Sequence, residues 1–270
     1  MPADQLHISI IQPDITWEQK EANFLQYESY IAGIKGAREV VVLPEMFSTG
    51  FSMAPERLAE TMDGYSVSWM KGMATKYRCI ITGSLIIEEE GKYYNRLIWM
   101  QPNGQFGVYD KRHLFGYADE DKHYTAGSKR LIASVKGWRI NLLICYDLRF
   151  PVWSRQATIP QTNGYTGEPE YDVLLYVANW PERRSLAWRT LLQARAIENQ
   201  AYVVGVNRVG PDGKEIIHKG ESSVFGPLGD VIWQAGHDVV VQTVTLDKQP
   251  LLKTREGLPF LKDADKFMLL

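Results

Sequence analysis

Short, almost entirely apolar runs constrain the fold of this chain more than any other feature. Residues 40–43 read Val-Val-Val-Leu, and residues 173–178 read Val-Leu-Leu-Tyr-Val-Ala. Strands of this composition are buried on both faces and are typical of parallel sheets covered by helices. Segments of helical length separate such runs, and residues 66–77 and 185–200 have apolar side chains at helical spacing. This alternation predicts an α/β fold.

The chain shows no boundary that would divide it into two domains. Its 270 residues are compatible with one or two, but no internal repeat, low-complexity tract or linker interrupts the sequence. We therefore interpret it as a single domain with a core at about residues 6–246. Residues 158–170 are rich in Pro, Gly, Thr and Asn and are interpreted as a surface insertion. Residues 247–270 are interpreted as a C-terminal tail.

Charge and cysteine content exclude several classes of protein. Thirty basic and thirty-two acidic residues give a formal net charge of −2, which provides no field for binding nucleic acid or an anionic membrane. No apolar stretch approaches the ~18 residues of a membrane span, and the N-terminus lacks the basic region of a signal peptide. Two cysteines, Cys79 and Cys145, are too few for a disulfide scaffold. We expect a cytoplasmic protein with reduced thiols.

Three apolar segments lead directly into a reactive side chain, at Glu45, Lys111 and Cys145. Each alone has an ordinary explanation, such as a buried cysteine or a surface lysine. Together they provide a thiol, a carboxylate that can act as its base, and an ammonium that can stabilise an oxyanion. The backbone N–H of Tyr146, just after the thiol, is a natural second oxyanion donor. These groups predict acyl transfer from an amide or a nitrile.

Other chemistries fit the sequence less well. A Cys145–His113 pair is the rival arrangement for activating the thiol, but His113 lies in no recognisable local motif. The five histidines have no ligand spacing, and the cysteines form no Cys-x-x-Cys pattern, so we predict no metal site. Glycine-rich phosphate loops are also absent from the sequence. We therefore expect no cofactor.

Three sequence blocks resemble the nitrilase, or carbon–nitrogen hydrolase, superfamily. They read Leu-Pro-Glu-Met-Phe at 43–47, Tyr-Asp-Lys-Arg-His-Leu-Phe at 109–115 and Cys-Tyr-Asp-Leu-Arg-Phe-Pro at 145–151. Their order and spacing also match, with 66 residues from Glu45 to Lys111 and 34 more to Cys145. Two later blocks, Ala-Asn-Trp-Pro at 178–181 and Gln-Ala-Arg-Ala-Ile-Glu-Asn-Gln at 193–200, are similar as well. The resemblance covers nearly the whole chain.

The resemblance implies a four-layer αββα sandwich and a Glu–Lys–Cys triad. Glu45 would be the general base and acid, Cys145 the nucleophile that forms a thioester, and Lys111 with the Tyr146 N–H the stabiliser of the oxyanion. The family often has a second glutamate, for which Glu120 is the candidate. The plain alternative for Glu120 is a solvated acidic run, since aspartates flank it. A homodimer is also implied.

Within the superfamily, the blocks look most like the omega-amidase branch, whose substrates are monoamides of 2-oxo dicarboxylic acids such as 2-oxoglutaramate and 2-oxosuccinamate. A substrate carboxylate requires a cation, and Arg183 and Arg184 are candidates by location, with a surface pair at a helix start as the alternative. Phe115 and Trp180 are candidate cavity walls, while Arg149 is expected to brace an internal carboxylate. Other open readings are an N-carbamoyl amino acid, aliphatic amide or nitrile substrate, and a non-catalytic dimeric binding protein.

Overall fold

Sixteen strands and seven α-helices make up the part of the chain that the structure, a computed structural model, describes: residues 3–156, 158–161 and 164–265, without the side chains of 157–167. The strands are β1 (Gln5–Gln12), β2 (Val40–Val42), β3 (Ile80–Glu89), β4 (Lys92–Met100), β5 (Phe106–Asp110), β6 (Leu131–Val135), β7 (Trp138–Ile144), β8 (Thr158–Gln161), β9 (Gly164–Pro169), β10 (Val173–Val177), β11 (Tyr202–Val206), β12 (Val209–Pro211), β13 (Ile217–Lys219), β14 (Ser223–Phe225), β15 (Val231–Gln234) and β16 (Val240–Asp247). The helices are α1 (Lys20–Gly33), α2 (Pro55–Leu58), α3 (Tyr65–Tyr77), α4 (Glu120–His123), α5 (Pro151–Ser154), α6 (Ser185–Asn199) and α7 (Lys248–Gly257).

Two six-stranded mixed sheets pack face to face. Their strand orders are β16-β1-β2-β3-β4-β5 and β15-β14-β11-β10-β7-β6. Strands β1, β2 and β3 are parallel to one another, as are β7, β10 and β11. The inner faces share one apolar core, in which Ile8 and Val42 of the first sheet lie in the same cluster as Leu142 and Leu175 of the second. Burial of these apolar side chains between the two sheets is the main driving force for forming the sandwich.

Helices cover the outer face of each sheet and complete four layers. Phe24 and Ile31 of α1 and Met70 of α3 pack against the outer face of the first sheet. Trp188 and Leu192 of α6 pack on the second sheet. The helices predicted at 66–77 and 185–200 are confirmed as α3 and α6, and the predicted αββα sandwich is confirmed.

The two segments predicted to lie outside the core have defined backbone structure. Strands β8 and β9 pair as an antiparallel hairpin within residues 158–170. The segment after residue 247 contains helix α7, whose Leu251 is fully buried. Lys248 and Arg255 donate hydrogen bonds to the Asp172 carboxylate at 2.6 and 3.3 Å, so the described part of this segment is anchored to the second sheet.

None of the helices in the part of the chain that the structure describes combines the length and the apolar composition needed to cross a bilayer.

Candidate active site

The reactive side chains of the three blocks meet at one edge of the sandwich. Glu45 follows strand β2 of the first sheet, and Lys111 follows β5 of the same sheet. Cys145 follows β7 of the second sheet, and Asn179 follows the neighbouring parallel strand β10. Because these strands end at the same edge of two packed sheets, residues far apart in sequence come into contact.

Cys145 lies at a sharp turn from β7 into a 3₁₀ helix, Cys145–Arg149. Its φ is +44°, in the left-handed region that a residue with a side chain adopts only where the surrounding structure enforces it. The Asp147 carboxylate supports this turn by accepting a hydrogen bond from the Ile144 N–H at 3.0 Å. The Tyr146 N–H stands at the start of the helix, where backbone donors have no partner within the helix.

A buried ion cluster lies beside the thiol. The Lys111 Nζ donates to Glu45 Oε1 at 2.8 Å and to Glu120 Oε1 and Oε2 at 3.0 and 2.9 Å. All three side chains are fully buried. Glu120 is thus part of an internal cluster, whereas the flanking Asp119 and Asp121 are exposed. The arrangement brings together two carboxylates, one ammonium and the Cys145 thiol.

Two asparagines that the sequence analysis did not select orient the carboxylates. Asn95 Nδ2 donates to Glu45 Oε1 at 2.8 Å and to Glu120 Oε1 at 3.1 Å. The Asn179 N–H donates to Glu45 Oε2 at 2.8 Å, and its Nδ2 donates to the Glu45 carbonyl at 2.6 Å. Asn95 lies within strand β4 among buried side chains, and an isolated buried polar group normally has a specific partner.

His113 does not activate the thiol in this structure. Its Nδ1 lies 2.8 Å from Asp147 Oδ1, and its ring stacks on Phe150 with centroids 3.8 Å apart. Asp147 also accepts a hydrogen bond from the Tyr109 hydroxyl at 2.7 Å. Asp147 therefore ties the turn after Cys145 to the segment around Lys111, and the thiol's carboxylate neighbour is Glu45.

Burial and the neighbouring carboxylates determine the protonation of this cluster. Burial raises the pKa of the Cys145 thiol well above its ordinary value, and the negative charge of the nearby Glu45 raises it further, which outweighs the opposing charge of Lys111. The pKa of Lys111 is raised by Glu120 and Glu45 despite its burial. Burial also raises the pKa of Glu120, against the effect of Lys111. The resting thiol is therefore protonated, and a nucleophile must be generated by proton transfer to a base.

A cavity of about 180 Å³ opens beside Cys145. Phe115, Tyr146 and Trp180 form part of its wall. The Phe115 and Tyr146 rings meet edge to face with centroids 4.9 Å apart. Trp180 is buried and donates its Nε1–H to the Arg184 carbonyl at 2.8 Å. The partly aromatic lining with a few polar groups is typical of a small-molecule site.

Three arginines line this cavity and form what we call the arginine cluster: Arg149, Arg183 and Arg184. Their guanidinium groups lie over the rings of Trp180, Tyr117 and Phe115, respectively. None of the three has a carboxylate partner in the described part of the chain. Partial burial lowers the pKa of Arg184, and the charges of its two neighbours lower it further. Such mutual repulsion favours binding of an anion.

The expectation for Arg149 was wrong. It does not brace an internal carboxylate; its side chain is exposed and lies 5.0 Å over the Trp180 ring, at the cavity wall. The 3₁₀ helix that starts at Cys145 turns this residue outward, while Asp147 of the same helix points inward. Sequence proximity alone did not indicate this orientation.

The structure also adds a hairpin to the cavity that the sequence analysis did not assign. The wall includes three residues of the turn between β12 and β13, which are Asp212, Lys214 and Ile216, and also His218 of β13. Asp212 closes the turn by accepting hydrogen bonds from the N–H groups of Lys214 at 2.8 Å and Ile216 at 2.9 Å. These hydrogen bonds hold the backbone of the hairpin in place, in the same cavity wall as the arginine cluster.

The two cysteines are expected to differ strongly in reactivity. Burial raises the pKa of both thiols, but Cys145 is partly exposed to the cavity and has the Glu45 carboxylate beside it as a base, whereas Cys79 is buried. We expect iodoacetamide to alkylate Cys145 at least about 100-fold faster than Cys79, measured by peptide mass spectrometry over time. A Cys79→Ala variant should keep the fast phase. Equal, slow alkylation of both thiols would contradict the assigned environment.

The chain is similar to known proteins over nearly its whole length. The sequence profile described as Carbon-nitrogen hydrolase matches residues 7–256. Omega-amidase YafV of Escherichia coli is 43% identical over 265 residues, covering 98% of each chain. The 2-oxoglutaramate amidase of Bacillus subtilis is 33% identical over 264 residues, covering 96% of this chain and 97% of that protein.

A solved structure is similar over the entire chain. It is a carbon–nitrogen hydrolase superfamily protein of Xanthomonas campestris with an arsenic adduct in its active site. The two share a TM-score of 0.94 and 40% identity, over 99% of this chain and 100% of that one. The resemblance inferred from the sequence blocks is confirmed: the chain is an enzyme of the carbon–nitrogen hydrolase, or nitrilase, superfamily, in its omega-amidase branch.

Proposed function

We propose that this enzyme hydrolyses the terminal amide of 2-oxo dicarboxylic acid monoamides, such as 2-oxoglutaramate and 2-oxosuccinamate, to a carboxylate and ammonia. The observation that carries the proposal is the arginine cluster beside the Cys145 thiol, since its cations lack carboxylate partners in the described chain. A substrate carboxylate would supply the missing partner. The names of the relatives in Escherichia coli and Bacillus subtilis support the same substrate class.

The first half of the reaction forms a thioester. Glu45 takes the proton of the Cys145 thiol as the sulfur attacks the amide carbon, because the resting thiol is protonated and the Glu45 carboxylate lies next to it. The developing oxyanion is stabilised by the Lys111 ammonium and the Tyr146 N–H. The carbon–nitrogen bond then breaks, and Glu45 returns the proton to the departing nitrogen, which leaves as ammonia.

The second half hydrolyses the thioester. Glu45 takes a proton from a water molecule as the water oxygen attacks the thioester carbon, and the same two donors hold the oxyanion. The carbon–sulfur bond breaks, the proton on Glu45 returns to the sulfur of Cys145, and the product acid loses its proton to solvent. Each turnover consumes one amide and one water.

Glu120 acts through Lys111 in this mechanism. Its two carboxylate oxygens accept hydrogen bonds from the Lys111 Nζ, and its Oε2 also accepts one from the Phe115 N–H at 2.6 Å. These contacts fix the ammonium beside the reacting carbon and balance its charge while it is buried. Glu120 is therefore proposed as a positioning residue of the site.

N-carbamoyl amino acids are the main alternative substrates, because they also carry a carboxylate and a terminal amide. Aliphatic amides and nitriles without a carboxylate would leave the arginine cluster unpaired.

The predicted homodimer and the cytoplasmic location stay predictions.

Substitution of the arginines tests the proposed substrate class. We expect Arg184→Met to raise the KM for 2-oxoglutaramate by about 10-fold or more, because a charge-assisted hydrogen bond contributes roughly 1.5–3 kcal/mol. Hydrolysis of butyramide, which has no carboxylate, should be unaffected by the loss of this charge. Arg149→Met and Arg183→Met complete the series. Steady-state ammonia release gives the KM values.

Arg189→Met is the matched control, because Arg189 lies on helix α6, pairs with Glu221 at 3.0 Å and does not line the cavity. An unchanged KM for 2-oxoglutaramate in all three cavity variants would contradict the assignment of the carboxylate site.

A further inference from the structure

His218 is a buried cavity residue that the mechanism above leaves without a role. It lies on β13, paired with Gly210 of β12, so the ladder holds its backbone in place. The side chain is 4% exposed, and it shares the wall of the cavity with Cys145 and Arg184.

One nitrogen of the imidazole has no hydrogen-bond partner among the described residues. Its Nδ1 is buried and has no hydrogen-bond partner in the part of the chain that the structure describes. Leaving a buried polar atom unpaired is unfavourable, so such atoms normally have a partner in the working state of a protein. In a substrate cavity, the bound molecule is the natural source of that partner.

The ring is uncharged under ordinary conditions. Burial lowers the pKa of His218 to about 4, and the nearby guanidinium of Arg208 contributes to this shift. Arg208 is fully buried and donates to Asp14 at 2.9 Å, so its charge is a fixed feature of this side of the cavity. Neutral imidazole offers one N–H donor and one acceptor.

The proposed substrate has a polar group that nothing above accounts for. Its terminal amide contacts Cys145, Lys111 and Glu45 in the mechanism, and its carboxylate pairs with the arginine cluster. The 2-oxo oxygen, next to that carboxylate, is an uncharged acceptor and needs a donor. Asn179 Nδ2 already donates one of its two N–H groups to the Glu45 carbonyl, which holds this amide against the Glu45 backbone.

We propose that His218 is a specificity-determining residue that donates a hydrogen bond to the 2-oxo oxygen of the substrate. The inference rests on the proposed function and identifies the group that distinguishes a 2-oxo acid monoamide from a simple dicarboxylic acid monoamide. A site built to pair with a polar substituent discriminates against analogues that lack it, because its own buried group then stays unpaired.

Comparing two amides tests the proposal. 2-Oxoglutaramate and glutaramate have the same chain length and carboxylate and differ in the 2-oxo group. We expect the wild type to prefer 2-oxoglutaramate by about 10-fold or more in kcat/KM. His218→Phe should reduce the preference to about 2-fold or less by lowering only the 2-oxoglutaramate value. His218→Asn and His218→Gln, which place an amide near one or the other ring nitrogen, should show which nitrogen donates.

The ratio of the kcat/KM values for 2-oxoglutaramate and glutaramate is measured on one preparation of each variant. It therefore does not depend on the fraction of that preparation that is folded. Competitive inhibition by 2-oxoglutarate and glutarate gives the same comparison if turnover of glutaramate is slow. His237→Gln is the control, because His237 is exposed and does not line the cavity.

A preference that persists in His218→Phe, or a proportional loss on both amides, would overturn the role of His218. Wild-type enzyme that releases no ammonia from 2-oxoglutaramate would instead refute the proposed function.

Discussion

Replacing Cys145 with alanine is expected to lower the rate of amide hydrolysis by at least about 10⁴-fold, since no other nucleophile is available in the proposed mechanism. Steady-state ammonia release measures the loss. The fold should persist, because Glu45 keeps its hydrogen bonds from Lys111, Asn95 and Asn179 when the thiol is removed. Thermal unfolding should therefore remain close to that of the wild type.

Cys79→Ala is the matched control. Cys79 is buried next to β3, away from the cavity, so its truncation should cost some stability and leave kcat/KM unchanged. A Cys145→Ala enzyme that retains a substantial fraction of wild-type turnover would refute the assignment of the nucleophile.

Lys111→Met is expected to impair both catalysis and stability. The substitution removes the cation that two buried carboxylates share, and breaking a buried ion pair from one side costs roughly 3–5 kcal/mol of unfolding free energy. Loss of the oxyanion contact should lower kcat by about 10³-fold or more. Chemical denaturation and steady-state ammonia release measure the two effects separately.

The stability loss should depend on pH. Without Lys111, burial and the charge of Glu45 raise the pKa of Glu120 in the folded state with no cation to oppose them. A carboxyl group that binds its proton more tightly when folded stabilises the folded state as pH falls, so the deficit should be smaller at pH 5 than at pH 8. Lys111→Met/Glu120→Gln should recover part of the stability and none of the activity.

Lys122→Met is the control for the loss of a lysine charge, because its ion pair with Asp119 is exposed and contributes little. Wild-type unfolding free energy in Lys111→Met would show that the buried cluster does not have the arrangement described.

The central layers of the fold follow from local sequence. The runs at 40–43 and 173–178 form the central parallel strands β2 and β10, because a run without polar side chains can only be stable when covered on both faces. The four-layer arrangement could be predicted only from the resemblance to a family. Local patterns do not specify how the sheets pack, since the shared core joins residues such as Ile8 and Leu175 that are distant in the chain.

Three site residues, Glu45, Lys111 and Cys145, could be predicted from the sequence. Each of them follows a strand and lies in a sequence block that resembles the family. Asn95 and Asn179 were missed because their role lies in hydrogen bonds across more than 40 residues of sequence, which no spacing rule reports. Arg149 was misjudged because its direction depends on the left-handed turn at Cys145.

The most direct test of the account is ammonia release by the wild-type enzyme from 2-oxoglutaramate, N-carbamoyl-β-alanine and a simple aliphatic nitrile. The cysteine, its base and the arginine cluster together predict the highest kcat/KM for 2-oxoglutaramate, by about 10-fold or more over the other two. A higher kcat/KM for the carbamoyl compound or the nitrile would contradict the proposed substrate class.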